Sequence, residues 1–133
     1  MKRFSSLSLV FAALACGLSP LAQAVTPAEQ LAGYTAQAHA PAQPTRGQQL
    51  FTTQHGKEWS CSSCHTVTPT VDGKHASTGK IIGPMAPAFN PERFTDSTKT
   101  EKWFRRNCKD VMGRECTPAE KSDVLAWLLA LKR

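Results

Sequence analysis

The chain lacks any apolar run long enough to cross a bilayer: its longest, Leu7 to Leu18, falls well short of the ~20 residues a spanning helix requires. It also lacks a dense basic run, so its formal charge of +6 offers no footprint for nucleic acid. No stretch alternates apolar and polar residues as a half-buried strand would, and there is no internal repeat and no low-complexity segment. Strand-based folds and repeat arrays are thereby excluded. Cysteine is scarce, at five residues, yet two of the five fall close together, Cys61 with Cys64, and two more, Cys108 and Cys116, lie eight residues apart. The scarce residue is the informative one.

Cys61-Ser62-Ser63-Cys64-His65 has the Cys-x-x-Cys-His spacing of c-type haem attachment. One helical turn separates the two sulfurs, so each can take one vinyl group of a single porphyrin while His65 comes up beneath the iron. This predicts one haem c, covalently bound through Cys61 and Cys64. A thiol redox enzyme would place Cys-x-x-Cys in a βαβ setting, which is absent around Cys61. A zinc site built from all four cysteines would need two close pairs, and the eight-residue step from Cys108 to Cys116 is too wide for the second.

The N-terminus sets the compartment. Lys2 and Arg3 precede the apolar run, and Ala22-Gln23-Ala24 is a small-residue cleavage signal, so residues 1–24 read as a secretory signal peptide and 25–133 as a single domain. A lipoprotein reading of Cys16 is weaker, because Ala13 stands where a larger aliphatic residue is usual. The expected location is the periplasm. The leader carries two of the 16 basic residues and none of the 10 acidic ones, which leaves +4 on the remaining 109 residues. Cys16 departs with it. Cys108 and Cys116 then form a natural disulfide in an oxidising compartment, closing a short loop worth about 2–3 kcal/mol.

Capping signals organise the domain into helices. Thr26-Pro27-Ala28-Glu29 opens one that should run to about His39, and Pro41 and Pro44 separate it from a short helix carrying Leu50 and Phe51. Residues 66–90 hold glycines, prolines and polar residues with no period of 3.6 and read as loop. Asp96-Ser97-Thr98 starts another helix, with Trp103, Phe104, Asn107 and Val111 at helical spacing. Thr117-Pro118-Ala119-Glu120 starts the last, whose broad apolar stripe of Val124, Leu125, Trp127, Leu128 and Leu131 is expected to pack across the first helix. The fold expected is all-α, a small single-domain class I-like cytochrome c wrapped around one haem.

The sixth ligand is open on spacing alone. Thioether sulfur is the usual partner of histidine in electron-transfer cytochromes c, and both Met112 and Met85 are available, although a lone Met more often fills a core. His39, His55 and His75 are flanked by polar or small residues and read as surface positions.

Residues beyond the haem motif narrow the choice. Pro91-Glu92-Arg93-Phe94-Thr95-Asp96, Arg106-Asn107-Cys108 and Gly113-Arg114-Glu115-Cys116-Thr117-Pro118 make the chain resemble, over nearly its whole secreted length, the SHP family of high-spin, oxygen-binding monohaem cytochromes c. The resemblance implies that His65 and Asn107 ligate ferric iron, with a disulfide between Cys108 and Cys116. A neutral amide is a hard, weak donor and a poor match for ferrous iron. Reduction should therefore release Asn107 and open the site to O2, NO or CO. Softer expectations attach to Pro84, whose carbonyl could accept from the His65 ring. Arg93, Trp103, Arg105 and Arg106 are candidates for contacts with the haem propionates.

The reading that follows is a periplasmic electron-transfer haem protein with a redox-gated site for diatomic gases, more than a dedicated enzyme. The resemblance implies a dihaem cytochrome c as redox partner. An oxidoreductase acting on O2 or NO is the first alternative, although no acid–base constellation near Asn107 compels it. A conventional His–Met electron carrier is the second.

Overall fold

The computed structural model describes residues 24–133. The expected leader therefore lies, but for its last residue, outside the described residues. Five helices follow in order: α1 (Pro27–Ala38), α2 (Pro44–Thr52), the single turn α3 (Ser62–His65), α4 (Ser97–Met112) and α5 (Pro118–Ala130). Between α3 and α4 a minimal antiparallel pair, β1 (Gly73–Lys74) with β2 (Ile81–Ile82), interrupts the loop. The architecture is the small all-α one expected. Only that two-residue ladder departs from it, too short to carry an alternating pattern that sequence could reveal.

The helix starts are where the capping residues put them. In α1 the Thr26 hydroxyl accepts the Glu29 N–H at 3.1 Å while the Glu29 carboxylate accepts the Thr26 N–H at 2.7 Å. Thr117 and Glu120 repeat this box on α5, at 3.2 and 2.8 Å. Each satisfies two otherwise orphaned backbone groups. Asp96 caps α4 by accepting the Lys99 N–H at 2.9 Å, and the helix closes on Gly113 in a left-handed cap.

The centre of the molecule is α5. Both α1 and α2 pack on it, which is why its apolar stripe is broad: Val124, Leu125, Trp127 and Leu128 are all buried because two helices share them. With Tyr34, Phe51 and Phe94 they form the core, against which Met85, Cys61 and Phe104 also rest.

The α2–α5 crossing is unusually close. Gly47 faces the backbone of Asp123 so directly that a Cβ there would overlap the Asp123 carbonyl. Alongside, the buried Asp123 carboxylate accepts the Gln43 N–H at 2.7 Å at the start of α2 and pairs with the Arg46 guanidinium. A carboxylate this buried is tolerable only because its oxygens are occupied.

By contrast, α4 lacks comparable backbone packing against any other element. Side chains tether it instead: Phe104 meets Tyr34 edge-on at 5.8 Å, Lys121 pairs with Glu101 at 2.7 Å, and Cys108 is bonded to Cys116 just before α5. Its buried residues are few, Thr100, Cys108 and Val111.

Gly47→Ala should therefore force α2 away from α5. The expected loss is about 1–3 kcal/mol, the usual range for overpacking, read as a lower urea midpoint at unchanged slope. An unshifted midpoint would show that the crossing is looser than its geometry implies.

Candidate haem site

Residues 61–65 fold as one tight turn. The Cys64 and His65 N–H groups both donate to the Cys61 carbonyl, at 3.3 and 3.1 Å, and the Ser60 hydroxyl lies 2.8 Å from that of Ser62 and 3.2 Å from that of Ser63. The two cysteines are unpaired and partly buried. Burial pushes the Cys61 thiol up to about 11, with Cys64 adding to the effect. A thiol-exchange enzyme needs the opposite shift.

His65 is held in a largely apolar setting, its ring 6.1 Å from that of Phe51. Burial, and after it the positive charges of Arg93 and His75, bring its imidazolium down to about 4. At neutral pH the ring is therefore uncharged, as a metal ligand must be. Its Nδ1 is buried without a hydrogen-bond partner. A buried, neutral and under-satisfied imidazole one residue after the second of two free cysteines fits a haem iron bound on this turn.

The hairpin lies directly on this turn. Gly73 approaches the Cys64 carbonyl so closely that a Cβ would overlap it, and the Ala76 N–H donates to Cys64 Sγ at 3.2 Å. This is the function of β1 and β2, which no sequence pattern announced.

The remaining expected residues divide into two groups. Pro84 and Arg93 stand together, but in a loop clasp: the Pro84 carbonyl accepts from Arg93 Nε at 2.8 Å and from Asn90 Nδ2 at 3.3 Å, and the Gly83 carbonyl accepts from Arg93 Nη2 at 2.6 Å. Pro84 is thus engaged by Arg93 and Asn90. Burial lowers the Arg93 guanidinium from its ordinary value. The second group is on α4. Asn107 is half-buried one turn after Trp103, which is 44% exposed and carries Arg106 over its ring at 5.6 Å.

Cys108 and Cys116 form the expected disulfide, with Cα atoms 5.6 Å apart. Met112 Sδ rests 3.6 Å from Cys116 Sγ, a packing contact between two sulfurs. Met85 lies against the core. Two of the three other histidines support local structure: His55 donates to the Leu50 carbonyl at 2.7 Å, and His75 Nδ1 accepts the Thr78 N–H at 3.3 Å. Among the described residues no three His, Cys, Asp or Glu side chains converge to hold a metal ion, and no helix is long and apolar enough to cross a membrane.

The helical fold and the Cys-x-x-Cys-His turn define a haem cytochrome c. Comparison with known proteins makes this specific. Residues 37–128 match a family described only as a domain of unknown function, DUF1924. The cytochrome c-type protein SHP of Cereibacter sphaeroides is 49% identical over 134 aligned positions, covering 98% of this chain and 99% of that protein. Cytochrome c'' of Methylophilus methylotrophus is 48% identical over 79 positions, 59% of this chain and 55% of its own. The solved structure of oxidised SHP, an oxygen-binding cytochrome c, superposes with a TM-score of 0.77 over 81% of this chain and 99% of its own. Oxidised cytochrome c'' superposes at 0.72, with 38% identity, over 80% of this chain and 95% of its own. The chain belongs to the SHP family of cytochromes c.

The Arg93 clasp yields a test. Arg93→Ala leaves the Gly83 and Pro84 carbonyls without their charged donor and should cost about 1–3 kcal/mol. Protease cleavage should quicken within residues 79–90 and not in α5. Unchanged cleavage there would mean the clasp does not hold the loop.

Proposed function

We propose that the secreted domain, residues 25–133, is a periplasmic monohaem electron-transfer protein whose iron changes its ligand with oxidation state. When bound, the haem supplies one-electron redox chemistry and an iron able to take a diatomic gas. Cys61 and Cys64 attach it, and His65 is the proximal ligand through its neutral imidazole. Asn107 holds the ferric iron from α4. Its amide is a hard, uncharged donor, so Asn107 would hold an oxidised haem iron more firmly than a reduced one and would give up its place on reduction. The position it vacates is open to O2, NO or CO. Trp103 and Arg93 flank the cofactor, and Pro84 shapes the loop beside it. A second cytochrome, of the dihaem c class, exchanges the electrons.

The observation that supports this most directly is the placement of Asn107. It is half-buried on a helix with little backbone packing of its own, immediately before a disulfide that ties its neighbour Cys108 to the start of α5. That tether limits how far a released amide can travel, which favours a reversible switch. Met112 is the weaker rival, since its sulfur packs on the disulfide. Gas binding is further supported by the SHP relative, described as an oxygen-binding cytochrome c.

One observation favours a second reading. Met85 packs against the same core cluster as Cys61. A His65–Met85 pair would make the protein a conventional electron carrier.

Absorption spectra of the wild type, Asn107→Ala, Met112→Ala and Met85→Ala separate the two. The expected result is a high-spin ferrous haem that takes carbon monoxide within mixing time, and a ferric spectrum altered only by Asn107→Ala. A low-spin ferrous haem that refuses carbon monoxide until one methionine is removed would overturn the asparagine assignment.

A further inference from the structure

We propose that the outward face of α4 is the docking surface for an acidic redox protein. The position of the surface rests on charge and geometry alone, whereas the redox role of its occupant rests on the electron-transfer reading above.

The charge of the domain is concentrated there. Of the net +4 on residues 25–133, α4 contributes five basic residues, Lys99, Lys102, Arg105, Arg106 and Lys109, against two acidic ones, Glu101 and Asp110. Three quarters of the net charge therefore sits on one 16-residue helix. Glu101 is engaged by Lys121, at 2.7 Å, and so does little to neutralise its own helix.

Helical spacing sorts these cations onto one side. Thr100, Cys108 and Val111 mark the buried face, and Lys99, Lys102, Arg106 and Lys109 follow at steps of three and four along the opposite face. All four are exposed. Among the described residues, Lys99, Lys102, Arg105 and Arg106 form no ion pair, and Lys109 makes only a solvent-exposed one with Glu115, at 3.2 Å. Elsewhere the longer basic side chains are spent internally: Arg46 on Asp123, Arg93 on two loop carbonyls, Arg114 on Glu120. Among the described residues, Lys57, Lys74, Lys80, Lys132 and Arg133 are likewise without an ion pair but are spread over other segments, whereas those of α4 are aligned on one helix face.

An open depression of about 440 Å³, lined by Ser97, Thr98, Glu101, Lys102 and Arg105, runs beside the first turns of the same helix. It gives the face relief that a side chain from an acidic partner could enter. A single-sign patch of this kind raises the encounter rate with an oppositely charged protein and loses that advantage in salt. Arg106 is also the immediate neighbour of Asn107, so a partner seated here rests on the helix that carries the proposed ligand.

The test uses plastocyanin, an acidic copper protein, as the probe. Two charge-matched triple variants of the holoprotein are compared with wild type: Lys99→Glu/Lys102→Glu/Arg106→Glu on α4, and Lys74→Glu/Lys80→Glu/Lys132→Glu elsewhere. Amide NMR with redox-silent, cadmium-substituted plastocyanin maps the contact without electron transfer. Shifts should cluster on α4 at low salt, vanish at 300 mM salt, and disappear in the α4 triple only. In anaerobic stopped flow, oxidation of the ferrous protein by copper plastocyanin should slow at least tenfold in the α4 triple and less than threefold in the other.

Equal losses in both triples would reduce the effect to net charge and overturn the proposal. Shifts centred on the β1–β2 hairpin would overturn it in favour of a second face. So would α4-dependent sedimentation with phosphatidylglycerol vesicles while plastocyanin leaves α4 unmoved. Oxidation by a small cobalt complex separates the two readings: its failure in wild type, with the NMR map intact, counts against the haem reading and leaves the docking face standing.

Discussion

The buried carboxylate of Asp123 is the constraint on which the remaining geometry depends. It accepts the N–H of Gln43, the residue that caps α2, and pairs with the Arg46 guanidinium beside the point where Gly47 of α2 meets the backbone of α5. With that crossing fixed, the far end of α2 is fixed as well. Phe51 is then delivered against Trp127 at 5.1 Å and against His65 at 6.1 Å. The apolar wall that keeps His65 neutral is in this sense set by a charge several turns away. A hydrophobic crossing could supply as much stability. The carboxylate supplies register, because its two oxygens have two particular partners.

Helix α4 obeys a different logic. Its attachments are a ring contact, one ion pair and one disulfide, distributed along its length, while its backbone stands away from the other helices. The same helix carries Asn107 on the flank of its buried face and the domain's excess cations on the opposite one. One element thus carries the proposed ligand near its buried face and charge on its outer one.

Much of this was legible in the sequence, for identifiable reasons. Capping boxes are local, so Thr26–Glu29 and Thr117–Glu120 marked where α1 and α5 start. The haem turn is a five-residue motif, and the disulfide followed from having two cysteines left over. What escaped were relations between distant segments. Nothing near Asp123 marks it as buried, since its partners lie about eighty residues away. No motif singles out Gly73 or Gly47, because what requires a glycine at each is the backbone of a distant segment. Arg93 is a candidate cofactor contact from its charge. Its observed carbonyl partners could not be inferred, because main-chain acceptors leave no trace in residue identity.

The placement of the disulfide shows how these features combine. Cys108 follows Asn107 directly, and Cys116 precedes the Thr117 cap of α5. The end of α4 is therefore bonded to the start of the helix whose other faces hold α1 and α2 in place. Motion of Asn107 away from an iron would have to be rotation of its side chain or a small tilt of α4 about this tether, because translation along the helix axis would strain a covalent bond. Met112, one turn after Cys108, packs on the same bridge and stiffens it from the side. Under the proposed function, an amide on such a mount would let go without being lost, the property a weak ligand would need in order to rebind when the iron is oxidised.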